Sequence, residues 1–217
     1  MRQSFVYEIH VMESMKADGK IMVFDLGKVL VDFDWMIVVA RMAERSGKSL
    51  AAFEPLIANP ELLLTYETGL ISSREFYEKA RELLGYPEDY SNFCSDFGDM
   101  FSELTPMVEV NRSIRKNGIP TYILSNTNEI AIETIKDQFP FFSEFDGYIY
   151  SYIEKAMKPD PAIYKALEKL AGKSPAQIVF IDDNDANIEA AIALGWAAHR
   201  HTDHDETVGF LKSQGML

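Results

Sequence analysis

Four short apolar runs, each closing on a carboxylate or a hydroxyl, constrain this chain more than any other feature. IMVFD (21–25), TYILS (121–125), GYIYS (147–151) and QIVFIDD (177–183) are short, bounded by charges or turn residues, and read as buried parallel strands. Helices with legible ends lie between and after them. Asp160 with Pro161 opens one whose apolar stripe is Ile163, Leu167 and Leu170 and which Gly172 closes, and another ends at Gly118 just before Pro120. Strand alternating with helix through right-handed crossovers predicts an α/β fold, a doubly wound, Rossmann-like parallel sheet whose ligands sit at the carboxyl ends of the strands. Those ends carry the polar residues.

The spacing predicts an insertion. About 95 residues separate Asp25 from the strand at 121, whereas a βαβ unit closes in ~30. The insert reads as helices: Trp35, Val38, Val39 and Met42 form one stripe after an N-cap at Asp34, and Phe76, Ala80, Leu83 and Leu84 form another. The second opens on the capping box Ser72-x-x-Glu75 and stops at Gly85 before Pro87. The expected organisation is an α/β core at 20–33 and 105–217, a helical cap at 34–104 over the mouth of the sheet, and an N-terminal extension at 1–19.

Charge and apolar run lengths narrow the partners. With 21 Lys and Arg against 34 Asp and Glu, the net charge is −13, which opposes nucleic acid and anionic membrane surfaces. The longest clearly apolar run, WMIVVA at 35–40, falls far short of the roughly 20 residues that span a bilayer. Charges interrupt the first twenty residues, so no signal peptide is read there, and a single cysteine, Cys94, makes neither an internal disulfide nor a thiolate cluster. A cytoplasmic setting is the expectation, and the sequon at Asn111-Arg112-Ser113 is set aside with it.

Four elements carry the candidate chemistry: Asp25, Ser125, Lys158 in KAMKPDPAIY, and the pair Asp182-Asp183. Each has a plain alternative. Asp25 could cap a turn, Ser125 could cap a helix beginning near Asn126, Lys158 could be a solvated charge, and Asp182-Asp183 could cap the helix at 185–194. Jointly, the strand ends would converge carboxylates, a hydroxyl and an ammonium on one crevice, which is costly unless a cation or an anionic ligand completes the set. Phosphoryl transfer explains the combination: a carboxylate can attack phosphorus, Mg²⁺ bound by a few carboxylates offsets their repulsion of a phosphate, and Lys158 adds a positive charge.

FDLGKVLVD, ILSNT, KPDPAIY and VFIDDNDANI, in that order, resemble the four motifs of the haloacid dehalogenase superfamily, and the helical insert resembles its small α-helical cap. YETGLISSREF within the insert resembles the cap of a phosphatase subgroup that includes sugar-1-phosphate phosphatases. The resemblance runs from Lys20 to Leu217. It implies Asp25 as nucleophile and Mg²⁺ ligand, Ser125 as phosphate donor with Asn126 beside it, and Lys158 as the charge-neutralising residue. It also implies Asp183 and the Gly27 carbonyl as further metal ligands, with Asp182 near or water-linked to the metal and Asn187 supporting the site from behind. The implied activity is that of a phosphomonoester hydrolase, acting on a small phosphorylated metabolite through an aspartyl-phosphate.

Two positions depart from the family pattern. Most phosphatases of the superfamily carry a second, acid/base aspartate two residues after the nucleophile, where this chain has Gly27; the resembling subgroup also reads Asp-Leu-Gly. A leaving group of low pKa, such as an anomeric hydroxyl, depends less on protonation, which makes glycosyl-1-phosphates the expected better substrates. Lys28 stands where the subgroup usually has Asn, and is expected to face solvent. Asp34 is assigned to capping, and Asp32 has no evident partner as a substitute acid. His199, His201 and His204 lie on a late strand and the loop after it and read as a polar loop; Tyr66, Tyr77 and Trp35 read as cap core or pocket wall. The rival readings are a 2-haloacid dehalogenase, which needs no metal and is disfavoured by the double carboxylate, and a non-catalytic ligand-binding member of the fold. A receiver domain has its acidic pair and lysine in the reverse order.

Overall fold

The computed structural model describes residues 19–53 and 60–217. The expected extension at 1–19 therefore lies, apart from Gly19, outside the described residues. Strand β1 (Ile21–Phe24) leads through a tight loop to β2 (Val31–Phe33) and then to helices α1 (Trp35–Ser46), α2 (Pro60–Glu67), α3 (Ser73–Leu84) and α4 (Tyr90–Gly98). β3 (Phe101–Glu103) returns antiparallel to β2, pairing Val31 with Glu103 and Phe33 with Phe101. The chain continues as α5 (Thr105–Lys116), β4 (Thr121–Ser125), α6 (Glu129–Gln138), β5 (Gly147–Tyr150) and the single turn α7 (Ser151–Glu154). It ends as α8 (Pro161–Ala171), β6 (Ile178–Asp182), α9 (Asp185–Ala193), β7 (Ala197–Arg200) and α10 (His204–Ser213).

β1, β4, β5, β6 and β7 form one parallel sheet in the order β5-β4-β1-β6-β7, with the β2–β3 ribbon separate from it. Chain order leaves β1 toward β4 and β5 on one side, then returns to β6 and β7 on the other. The carboxyl end of β1 is therefore the switch point where open sheets of this kind bind ligands. Alternation along β1 sends Met22 and Phe24 into a cluster with Val108, Ile114, Ile132 and Leu211, and Ile21 and Val23 into a second with Ile163, Leu167 and Ile188. Both faces are thus covered by helices, which is why the strands read as continuous apolar runs. A third cluster, including Val38, Met42, Phe76, Ala80, Phe93 and Phe97, holds the inserted helices together.

Caps set the helix ends where the sequence marks them. Asp34 accepts the Met36 N–H at 2.8 Å, Ser72 and Glu75 close a reciprocal box, and Gly85 and Gly172 take φ of 61° and 62° at the ends of α3 and α8. Several expectations need correction. Asp25, Ser151 and Asp183 stand one residue beyond their strands, and Gln177 belongs to a 3-10 turn. Leu83 and Leu170 sit at the margins of their stripes, 45% and 51% exposed. The β2–β3 ribbon, each strand only three residues, carried no alternation long enough to read.

Candidate active site

Each strand end delivers its polar residue by a separate local device. The Asp25 N–H still donates to the Ile181 carbonyl at 2.8 Å, so Asp25 keeps the sheet's register while its carboxylate leaves the strand and accepts the Leu26 N–H at 2.7 Å. Ser125 is the last residue of β4 and buried. Helix α6 starts four residues later and is capped by Asn128, and α9 is capped by Asn184, so neither Ser125 nor Asp182-Asp183 serves as a helix cap. Lys158 is 4% exposed, not a solvated charge.

Lys158 ties the strand ends together. Its Nζ lies 2.8 Å from Asp25 Oδ1 and 2.5 Å from Asp182 Oδ2. Burial works against its ammonium, but the two carboxylates outweigh that effect and hold its pKa above the ordinary lysine value. Burial raises the Asp25 carboxyl above its usual range, with Lys158 opposing and Asp182 adding to the rise. Asn126 grips the Lys158 backbone at both ends of its amide: Oδ1 accepts the Lys158 N–H at 2.8 Å and Nδ2 donates to the carbonyl at 2.9 Å. Its side chain therefore positions Lys158.

The two adjacent aspartates differ. Asp182 is fully buried and accepts from Lys158, from the Asn184 N–H at 2.8 Å, and from Asn187 Nδ2 at 3.0 and 3.1 Å. Asn187 is itself anchored where its carbonyl accepts the Tyr164 hydroxyl at 2.9 Å. Asp183 is half-buried, and burial together with the Asp182 charge raises its pKa. Asp25, Asp182 and Asp183 offer carboxylate oxygens that all lie within 4.8 Å of one another. A donor set made only of hard oxygens fits Mg²⁺ better than a soft transition metal.

A cleft of about 300 Å³ opens over these strand ends, walled by Leu26, Gly27, Ser125, Asn126 and Thr127 below and by insert residues above. A larger hollow of about 490 Å³ lies elsewhere, between α4 and α6; the cleft over the strand ends reaches them at Ser125 and at Leu26 and Gly27, the two residues after Asp25. Gly27 earns its place sterically: a Cβ there would stand 2.9 Å from the Phe33 ring, so an aspartate at this position requires the ring to move. Lys28 takes a left-handed φ of 58° and turns outward, paired with Asp32 at 2.5 Å, donating to the Phe33 carbonyl, with its ammonium 4.4 Å from the Phe33 ring centre. It is half-exposed and occupied, not a free solvent charge. The hydrogen bond from Lys28 lowers the Asp32 pKa, so Asp32 is ionised at neutral pH and is a poor proton donor.

Trp35 lines the cleft, whereas Tyr66 and Tyr77 are core: Tyr66 stacks on Phe76, and Tyr77 donates to the Glu88 carbonyl. The histidines are dispersed. His199 stacks on Phe210, His201 bonds Thr207 and His204 bonds Asp205. Among the described residues the aspartate trio is the group whose spacing could hold a metal ion, and these histidines are no part of it.

Glu67 went unassigned in the sequence. It ends α2 and is the ionisable side chain on the cleft wall among the described residues. Burial raises its pKa to about 7. Its backbone is clamped to the sheet: Ser151 Oγ donates to the Glu67 carbonyl at 2.6 Å and accepts the Thr127 N–H at 2.9 Å. The available signal was a glutamate at the C-terminal end of a helix, where the dipole disfavours negative charge.

A family model of haloacid dehalogenase-like hydrolases matches residues 20–195. The chain belongs to this family. Within it, the chain is 28% identical over 187 residues to a sesquiterpene phosphatase of Aspergillus oryzae, covering 85% of this chain and 90% of that one. A solved haloacid dehalogenase family enzyme of Bacteroides thetaiotaomicron, in complex with magnesium and inorganic phosphate, is 26% identical with a TM-score of 0.73, covering 83% of this chain and 93% of that one. An (S)-2-haloacid dehalogenase of Xanthobacter autotrophicus is 23% identical over 133 residues, 58% of this chain and 53% of its own length. The haloacid dehalogenase-like fold thus has relatives of both chemistries. Among the described residues, no helix is long and apolar enough to cross a membrane.

Proposed function

We propose that this hydrolase cleaves a small phosphomonoester through an aspartyl-phosphate on Asp25, with Mg²⁺ as cofactor. The observation that carries the reading is the cluster of Asp25, Asp182 and Asp183 at adjacent strand ends, bridged by the buried Lys158. So much negative charge suits a site built to take a cation and a phosphate together, and ill suits one that only expels halide. The relative named a sesquiterpene phosphatase and the neighbour holding magnesium and phosphate support the same reading.

Asp25, Asp183 and the Gly27 carbonyl would hold Mg²⁺, with Asp182 kept behind them by Lys158 and Asn187. When bound, the ion neutralises charge on the phosphoryl oxygens and favours the ionised form of Asp25. Ser125 donates to a phosphoryl oxygen, and Lys158 supplies a positive charge beside it. Asp25 attacks phosphorus, the bond to the ester oxygen breaks, and the departing oxygen takes a proton from the Glu67 carboxyl. Glu67, now a carboxylate, then accepts a proton from the water that attacks phosphorus, and cleavage of the aspartyl-phosphate bond regenerates Asp25 and releases phosphate. Glu67 suits both steps because an acid/base works best with a pKa near the working pH. The helical insert at 34–104 acts as the cap that shapes the leaving-group end of the cleft.

A release panel tests the reading: purified protein with Mg²⁺ against small phosphomonoesters, including glucose 1-phosphate and glucose 6-phosphate, and in parallel against 2-chloropropionate. Phosphate release that EDTA abolishes is the expected result. Chloride release without phosphate release would instead establish the dehalogenase chemistry.

A further inference from the structure

The cleft over the strand ends is two-sided. Its polar groups, Ser125, Asn126, Thr127 and Asn128, lie on the core side with Glu67 at the seam, while the ribbon and cap side is Val31, Phe33, Trp35, Leu63, Met100 and Phe101. A sugar held there would present hydroxyls to a wall with almost nothing to pair them, and unpaired polar groups are costly to bury. Behind that wall lies a second chamber of about 190 Å³ inside the cap, lined among the described residues by apolar side chains that include Val39, Met42, Phe76 and Phe97. Trp35 and Leu63 line both spaces, so these two side chains form the partition between them. Packed cores contain few voids larger than a water molecule. Its volume is comparable to the roughly 150 Å³ apolar cavity that takes up benzene, and it meets the cleft at Trp35 and Leu63.

From this geometry we infer that the substrate is the monophosphate of a hydrocarbon alcohol, with its phosphate at Asp25 and Ser125 and its apolar chain running along Phe33 and Phe101 into the chamber past Trp35 and Leu63. The inference rests on the phosphatase reading and adds the class of the leaving group. By comparison with the benzene-sized cavity, the chamber accepts about six to eight carbons. The ester oxygen leaves as an alkoxide of high pKa, which is the case in which a proton from Glu67 matters most.

The test is a chain-length series of n-alkyl monophosphates from ethyl to decyl, with glucose 1-phosphate and p-nitrophenyl phosphate alongside, read as Mg²⁺-dependent phosphate release. Each added methylene is expected to raise kcat/KM by about two- to fourfold, with a plateau once the chamber is full. Val39→Phe, which narrows the chamber, is expected to lower the octyl-to-ethyl ratio of kcat/KM at least tenfold. Should that variant fail to fold, octylphosphonate against ethylphosphonate as inhibitors of the wild type gives the same comparison, with the longer chain expected to bind at least tenfold more tightly. A flat series, or glucose 1-phosphate preferred over octyl phosphate, would overturn the hydrocarbon assignment and leave the phosphatase reading standing. No phosphate release from any ester, p-nitrophenyl phosphate included, would overturn both.

Discussion

Glu67 and Gly27 are two halves of one arrangement. The ring of Phe33 fills the space beside Gly27 that an acid two residues after Asp25 would need, and the Glu67 carboxyl, from the inserted helices, lines the same cleft instead. Glu67→Gln is therefore expected to lower kcat about 10²-fold or more on alkyl phosphates and much less on p-nitrophenyl phosphate, whose leaving group needs no proton. Wild-type kcat/KM on alkyl esters should fall as pH rises through about 7, where the acid form is lost, and the variant's profile should lack that limb. The stability effect has a defined sign. A carboxyl whose folded pKa is raised binds its proton more tightly when folded, so stability is lost as pH rises from its ordinary range toward 7 and the full penalty stands above it. Glu67→Gln should accordingly raise Tm at pH 8 and leave it nearly unchanged at pH 4. Gly27→Ala should destabilise by about 1–3 kcal/mol, and Phe33→Leu in the same chain should recover part of that, measured as a double-mutant cycle by denaturant unfolding.

At the level of elements, legibility follows sequence distance. Four of the five sheet strands, the caps at Asp34, Ser72 and Asp160 and the stop at Gly85 depend on residues within a turn or two of one another, and each stands in the fold where its local pattern indicates, to within a residue at the strand ends. The partnership of Lys158 with Asp25 and Asp182 spans most of the chain, and only the strand order brings those ends together. Glu67 was passed over for the same reason: its place at a helix end was the one local signal, and its burial comes from the core that its helix meets. The seam itself depends on Gly69. Its φ is 69°, and a Cβ there would stand 2.0 Å from the Tyr152 carbonyl oxygen, next to the Ser151 clamp on α2. Gly69→Ala is expected to cost about 2–4 kcal/mol and to lower activity by displacing Glu67. A Tm within a degree of wild type would show that the cap does not seat there.

Taken whole, the molecule carries −13 and yet holds its buried ammonium, Lys158, where three carboxylates converge. Composition excludes a polyanion spread over the surface but not one phosphate in a cleft with its own countercharge. The overall field still opposes approach of an anionic substrate. Below about 0.1 M ionic strength, kcat/KM for a phosphomonoester should therefore rise as salt is added, and a fall would place a positive path to the site that the charge distribution does not suggest. The central claim is that a single carboxylate, Asp25, carries the phosphoryl group. Its most direct measurement is steady-state phosphate release in saturating Mg²⁺ by wild type and Asp25→Asn, on the best ester of the panel and with folding checked by circular dichroism. The expected result is turnover by the wild type and a loss of at least 10³-fold in the folded variant; equal turnover by the two proteins would contradict the assignment.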